Sequence, residues 1–318
     1  MANTANTTSL KDLQSEDFEY IIIGGGTSGC LLASRLAESG AKTLLVEAGG
    51  EAEEDPENLI PGLVVPKFNK EPGNWLYQTT PQKGLNGRRL PYPRGKGMGG
   101  SSANNFSSWV RGPKCDWDDW AELVGDEWWK WENVVEYMKK LENFDSKVPE
   151  GKEGWVDFVD GMHYQGGPIG VGTGREWQDV VEYCMKGAIE AGHVWNGDHN
   201  DGEEMGVTVA QMNVDRGERR SGAAAFLSKE KRKGELEGRL TVVTRTLCRR
   251  IIFERERAIG VEMIPAASGD EAVFVRAKRE IVLCAGAFES PHILLLSGVS
   301  RVFEPKKHDF EEAANSTH

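Results

Sequence analysis

The segment Gly24-Gly25-Gly26-Thr27-Ser28-Gly29 constrains this chain most, because of what flanks it. Phe18–Ile23 is a short apolar run that reads as a strand buried on both faces. Leu31, Leu32, Leu36 and Ala37 then recur at helical spacing, and Gly40 closes that helix as its C-cap. Thr43–Glu47 reads as a second strand, which completes a βαβ unit of about 30 residues. A G-x-G-x-x-G between the strand and the helix of such a unit is a dinucleotide-binding turn. Gly24 permits the tight turn, Gly26 lets a pyrophosphate approach the backbone, and Gly29 lets the helix pack on the strand. Thr27 and Ser28 lie at the helix start, whose N–H groups and positive dipole end face the phosphates. Glu47, followed by Ala48, stands about 20 residues on, where a carboxylate accepts from ribose hydroxyls and repels a 2′-phosphate, which disfavours NADP. The plainer alternative is a Gly-rich turn with a surface Glu. The unit alone does not separate FAD from NAD.

Composition narrows the setting. The chain has 318 residues and a formal net charge of -12, enough length for two domains or one large one and the wrong sign for nucleic acid or anionic membrane as main partner. Five widely spaced cysteines include no C-x-x-C pair, which argues against a thiolate metal site and for free thiols in a reducing compartment. His163, His193 and His199 show no metal-ligand spacing. The N-terminus lacks a basic segment followed by an apolar run, so no secretory signal is read there, and no run is long enough to span a membrane. The expectation is a cytoplasmic protein without a metal. Oligomeric state is left open.

Further along, Pro93-Arg94-Gly95-Lys96-Gly97-Met98-Gly99-Gly100-Ser101-Ser102-Ala103-Asn104-Asn105, continued by Trp109-Val110-Arg111-Gly112, resembles the first signature of the glucose–methanol–choline (GMC) oxidoreductases. Gly286-Ala287-Phe288-Glu289-Ser290-Pro291, followed by Leu294-Leu295 and Ser297-Gly298-Val299, resembles the second. Asp198-His199-Asn200 and Arg220-Ser221 with Ala223, Ala224, Phe226 and Leu227 fit between them, so the resemblance covers about residues 18 to 299. It implies an α/β fold: a Rossmann-like FAD-binding domain of GMC type with a partial, β-containing substrate domain. The boundaries expected are a flexible tail over 1–17, a first FAD-binding part over 18–150, partial substrate-domain and lid elements over 151–239, a second FAD-binding part over 240–299, and a divergent, unpacked tail over 300–318.

The resemblance also assigns a site. The small residues Gly99, Gly100, Ser101 and Ser102 let the backbone lie against a flat ring, with N–H groups for the flavin N5 and O4. Arg94 and Lys96 either add positive potential or are solvated surface charges. Asn105 matches a position beside the flavin. Asn104 matches the position of the His that carries the covalent link in some members, and Asn makes no such bond, so non-covalent FAD is expected. Cys248 matches the residue whose backbone pairs with adenine, and Cys284, Ala285, Gly286 and Ala287 run near the ribose and pyrophosphate. The implied activity is oxidation of a CH–OH group of a small-molecule alcohol by hydride transfer to flavin N5. The family's catalytic His pair lies in a C-terminal half that has no counterpart here, and Ser300 breaks the second signature, so no catalytic residue is assigned and a truncated protein with exposed apolar edges is expected. The alternatives are a non-catalytic FAD-binding fragment or pseudoenzyme, and a lyase or decarboxylase on the same fold. Trp117, Trp120, Trp128, Trp129 and Trp131 are read as packing residues before an aromatic substrate site. Gln178–Ala191 reads as a helix whose apolar stripe is Val180, Val181, Cys184, Met185, Ala188 and Ile189. Leu240–Thr244, Arg250–Glu254, Ala258–Ile264 and Ala272–Val275 read as strands of a meander, Glu280–Ala285 as another buried strand, and Pro291–Leu296 as the beginning of a helix with Pro near its first turn.

Overall fold

The computed structural model describes residues 10–51, 59–67, 70–71, 73–215, 218–219, 221–266 and 271–299. The expected tail over 300–318 and Arg220 lie outside them. The leading βαβ unit forms as β1 (Phe18–Ile23), α1 (Thr27–Glu38) and β2 (Thr43–Val46). Gly40, at φ +95°, ends the helix, and its N–H donates to the Ala37 carbonyl. A long excursion follows: α2 (Val64–Lys67), the antiparallel ribbon β3 (Asn74–Gln78) and β4 (Pro91–Gly95), α3 (Lys114–Val124), α4 (Trp131–Lys139), and β5 (Glu142–Asp145). It continues through β6 (Ile169–Gly172), α5 (Asp179–Glu190), β7 (Val214–Asp215), β8 (Glu218–Arg219), α6 (Gly222–Phe226) and α7 (Lys229–Lys233). The chain then returns through β9 (Leu240–Val243), β10 (Thr246–Glu254), β11 (Arg257–Pro265), β12 (Val273–Leu283) and α8 (Gly286–Leu296).

The central sheet has the order β10-β11-β12-β1-β2-β9. β12, β1, β2 and β9 run parallel, and β10 and β11 are antiparallel to their neighbours. Side chains alternate across it, as a period of 2 requires. Ile21, Ile23, Leu44 and Val46 enter a core shared with the β10–β12 meander and Ile293 of α8. Ile22 and Leu45 point the other way, onto Cys30, Ala33 and Ala37 of α1. Both faces of the parallel strands are therefore covered, as a βαβ sheet demands.

Several expectations are corrected. Residues 10–17 do not behave as a tail: Asp12–Ser15 form a 3-10 turn, and Leu13 is 1% exposed within the meander core. Its burial overrides a polar local composition. Leu240–Val243 is not part of the meander but pairs in parallel with β2. The two strands expected over 272–275 and 280–285 are one strand, β12, which pairs with β11 through Val273–Arg276 and with β1 through Ala277–Leu283. The charged run between them hid this continuity, but those side chains point to solvent, where Lys278 meets Asp17 at 2.9 Å and Arg279 meets Glu19 at 2.9 Å. The last helix begins at Gly286 rather than Pro291, so Pro291 sits inside it.

The apolar stripe read on α5 is largely exposed, with only Met185 buried. That helix is instead held through Glu182, which accepts from Lys152 Nζ at 2.7 Å and Trp155 Nε1 at 3.1 Å. Trp131 is buried, and Trp129 stacks on Trp117 with ring centroids 6.5 Å apart.

The lobe built by the excursion has a buried ionic centre. Arg111 Nη2 lies 2.6 Å from Glu142 Oε1, and Trp109 Nε1 donates to the same oxygen at 2.6 Å. His163 bridges two carboxylates, Nδ1 at 3.0 Å from Glu142 Oε2 and Nε2 at 3.0 Å from Asp198 Oδ2. Burial alone would lower the His163 pKa, but the hydrogen bonds to Asp198 and Glu142 outweigh it and raise the pKa. Burial likewise opposes ionisation of Glu142 and Asp198, yet His163 holds both below the usual carboxylate range, with Arg111 adding to the effect on Glu142. With His163 protonated, the two cations and two anions balance.

Candidate cofactor site

A cleft of about 390 Å³ opens at the C-terminal ends of β1, β2 and β12, where open α/β sheets bind ligands. Gly24 (φ +101°) turns the chain out of β1, and a Cβ there would stand 2.5 Å from the Cys284 carbonyl oxygen. A Cβ on Gly29 would stand 1.9 Å from the Gly24 carbonyl oxygen. These two glycines are demanded by protein packing. Gly26 is different: a Cβ there meets nothing closer than 3.8 Å, because it would project toward the cleft. Gly286 also has open space where a side chain would begin. Neither α1 nor α8 has a side chain capping its first turn, so the uncapped starts of both helices border the cleft. Bare backbone at Gly26 and Gly286, beside two uncapped helix starts, fits an anionic group lying along main chain.

The first signature reaches the same place. Gly99 N–H donates to the Gly25 carbonyl at 2.7 Å, and a Cβ on Gly100 would stand 2.7 Å from the Gly26 Cα. Gly100 and Ser101 line the cleft. The open row of amides expected over Gly99–Ser102 is not found. Besides the Gly99 bond, Gly100 N–H donates to Gly97 O at 2.8 Å and Ser102 N–H to Gly99 O at 3.1 Å. Positive φ at Gly97, Gly99 and Gly100 winds the segment into a tight turn in which Gly99, Gly100 and Ser102 spend their N–H groups on protein carbonyls.

Of the remaining predicted residues, Thr27, Ser28, Glu47, Ala48, Arg94, Cys248 and Ala285 line the cleft. Glu47 is buried, and its carboxylate accepts from Gly25 N–H at 2.7 Å and Gly49 N–H at 2.8 Å. Burial pushes its pKa up, against those amide bonds. It thus pins the glycine turn to the end of β2 while still facing the cleft. Arg94 is not a solvated charge: its guanidinium lies 4.1 Å from the Tyr92 ring centroid. Lys96 sits over Trp75 at 4.4 Å. Cys248 lies on β10, the edge strand, and burial pushes its thiol up to about 12, so it is inert as a nucleophile near neutral pH.

Gly29, Gly99, Ser102, Asn104 and Asn105 do not line the cleft. Ser102 Oγ accepts from Gly222 N–H at 2.9 Å and ties the signature to α6. Asn104 is buried and its amide donates to Asn74 Oδ1. Asn105 Oδ1 accepts from Ser107 N–H at 3.0 Å. These residues shape the wall rather than form it. Tyr77, Phe288 and Glu289 line the cleft without having been assigned to it. The period-2 placement of Trp75 and Tyr77 on β3 was the available signal.

Comparisons with known proteins agree with this geometry. Residues 18–304 match the family model described as GMC oxidoreductase. The chain is 34% identical over 289 residues to the oxygen-dependent choline dehydrogenase of Pseudomonas fluorescens strain Pf0-1, covering 90% of this chain and 48% of that protein. It thus spans about half the length of the curated relatives it matches. Among solved structures, pyridoxine 4-oxidase from Mesorbium loti superposes with a TM-score of 0.77 at 31% identity, over 89% of this chain and 52% of the other. A FAD-dependent oxidoreductase from Chaetomium thermophilum gives 0.78 at 28% identity, over 89% and 48%. The chain belongs to the GMC oxidoreductase family, as an N-terminal, FAD-binding-domain portion of that fold.

Proposed function

We propose that this chain binds FAD without a covalent link and serves the oxidation of a CH–OH group in a small-molecule alcohol. The observation that carries the reading is the convergence of Gly26, Gly100 and Gly286, from three distant parts of the chain, on one cleft. The starts of α1 and α8 would hold the pyrophosphate, Glu47 the ribose, and the edge backbone at Cys248 the adenine. Gly100 and Ser101 would hold the ring system, and Arg94 would contribute positive potential. Bound flavin supplies a hydride acceptor at N5. A carboxamide at Asn104, already engaged with Asn74, supports the absence of a covalent link.

No histidine lines the cleft among the described residues. A histidine base of the kind the family resemblance implies would then come from outside them, and this favours a second reading in which the described part of the chain holds FAD without turning it over. The net charge of -12 supports a protein that does not engage nucleic acid or anionic membrane. No helix among the described residues is long and apolar enough to cross a membrane. A cytoplasmic setting is part of the proposal.

The test is flavin content. Purified chain should release one equivalent of FAD into the supernatant on heat denaturation, leaving none on the precipitate. Protein that takes up no FAD, or keeps flavin on the precipitated chain, contradicts the proposal. Anaerobic addition of alcohols then separates the two readings, since bleaching of the flavin requires a base within reach.

A further inference from the structure

We propose that Tyr77 and Glu289 form a latch joining the two walls of the cleft, and that this latch sets how fast FAD is taken up and released. The inference rests on the reading of the cleft as a FAD site.

One wall is the β3–β4 ribbon, paired from Asn74↔Gly95 to Gln78↔Pro91 and joined to no other strand among the described residues. An isolated two-stranded ribbon is marginally stable, so its position depends on side-chain contacts. The other wall is the first turn of α8. The Tyr77 hydroxyl donates to Glu289 Oε1, across 212 positions of chain. The second carboxylate oxygen of Glu289 lies 3.2 Å from His292 Nδ1, one helical turn on, which fixes its direction. Around this bond the ring of Tyr77 lies 5.6 Å from Phe288, and Tyr92 meets Phe288 edge-on at 5.3 Å. Both latch residues line the cleft, together with Trp75 and Arg94 on the ribbon side and Gly286 on the helix side. The ribbon is pinned to the first signature at its Asn74/Gly95 end, where Asn104 donates to Asn74 Oδ1 and Gly95 N–H donates to Ser101 Oγ at 3.2 Å, and the Tyr77 bond fastens it further along to the helix whose start borders the cleft. Burial, reinforced by the Glu289 carboxylate, raises the Tyr77 pKa, so the hydroxyl keeps its proton and remains a donor.

A gate and a direct contact have different kinetic signatures. Breaking a gate speeds uptake and release together, so the dissociation constant moves less than either rate. Removing a direct contact speeds release alone. The experiment follows flavin fluorescence during FAD binding to the full cofactor-free chain, and during release after dilution. Tyr77→Phe keeps the ring and removes the donor, and Glu289→Gln weakens the same bond from the other side. Tyr77→Phe is expected to accelerate both rates roughly 10- to 100-fold, the factor equivalent to a hydrogen bond to a charged group. Glu289→Gln should accelerate both by less, and the double variant should be no faster than Tyr77→Phe. If Tyr77→Phe fails to fold, Glu289→Gln carries the test alone. Unchanged rates, faster release with unchanged uptake, or additive effects overturn the latch while leaving FAD binding intact. A wild-type chain that binds no FAD overturns the underlying reading and the latch with it.

Discussion

Gly26 and Gly29 stand three residues apart in one turn, yet their missing side chains serve different ends. A methyl on Gly29 would collide with the Gly24 carbonyl at 1.9 Å, and neither partner is a flexible side-chain end. Gly29→Ala must push α1 off β1, and soluble yield and melting temperature should fall sharply. Gly26 has φ -76°, which any residue adopts, and its methyl would meet no protein atom closer than 3.8 Å. Gly26→Ala should leave the melting temperature of the cofactor-free chain within a degree or two while FAD affinity drops about tenfold or more, measured by flavin titration. An alanine at Gly26 that binds FAD like wild type would show that the ligand does not approach there.

His163 carries a second residue-scale expectation. Its folded pKa lies above its usual value of about 6.5. The stability it contributes is therefore fully present below that pH and is lost as pH rises through the folded pKa. Glu142 and Asp198 have depressed pKa values, so their contribution is present above about 4 and is lost as pH falls through their folded values. Urea midpoints should form a plateau bounded by these two limbs. His163→Gln should flatten the alkaline limb and cost about 3–5 kcal/mol below it, as removing one member of a buried charge cluster does. An alkaline limb that survives the substitution would assign it to another group.

At the scale of elements, Leu13 shows how a short turn earns a place in the fold. It is fully buried in the meander core, and Leu13→Ala should destabilise the chain by about 2–5 kcal/mol in chemical denaturation. A change under 1 kcal/mol would mean that the 3-10 turn detaches without consequence. The βαβ unit was legible in sequence because its strands, glycines and acid are local and periodic. The first signature's position was legible, but the fate of its amides was not, since hydrogen bonds such as Gly99 to Gly25 are decided by packing between distant segments. The ionic centre was likewise hidden: His163 meets partners 21 and 35 positions away, and no local pattern encodes that meeting. β12 was read as two pieces because apolar periodicity fades where a strand passes from one set of neighbours to another.

At the scale of the whole molecule, that uninterrupted strand has a consequence. Eleven extended residues span about 36 Å, and β12 delivers its last residue directly to Cys284 and Ala285 on the cleft wall. Its far end is clamped by β11. A rod held at one end and loaded at the other communicates without any hinge: FAD bound at the cleft should slow amide exchange in β11, although no β11 residue lines the cleft. Exchange mass spectrometry with and without FAD would read this. Protection that stopped at Leu283 would mean the two ends open independently, whereas protection reaching Val261 would make β11 a thermodynamic part of a binding site it does not line.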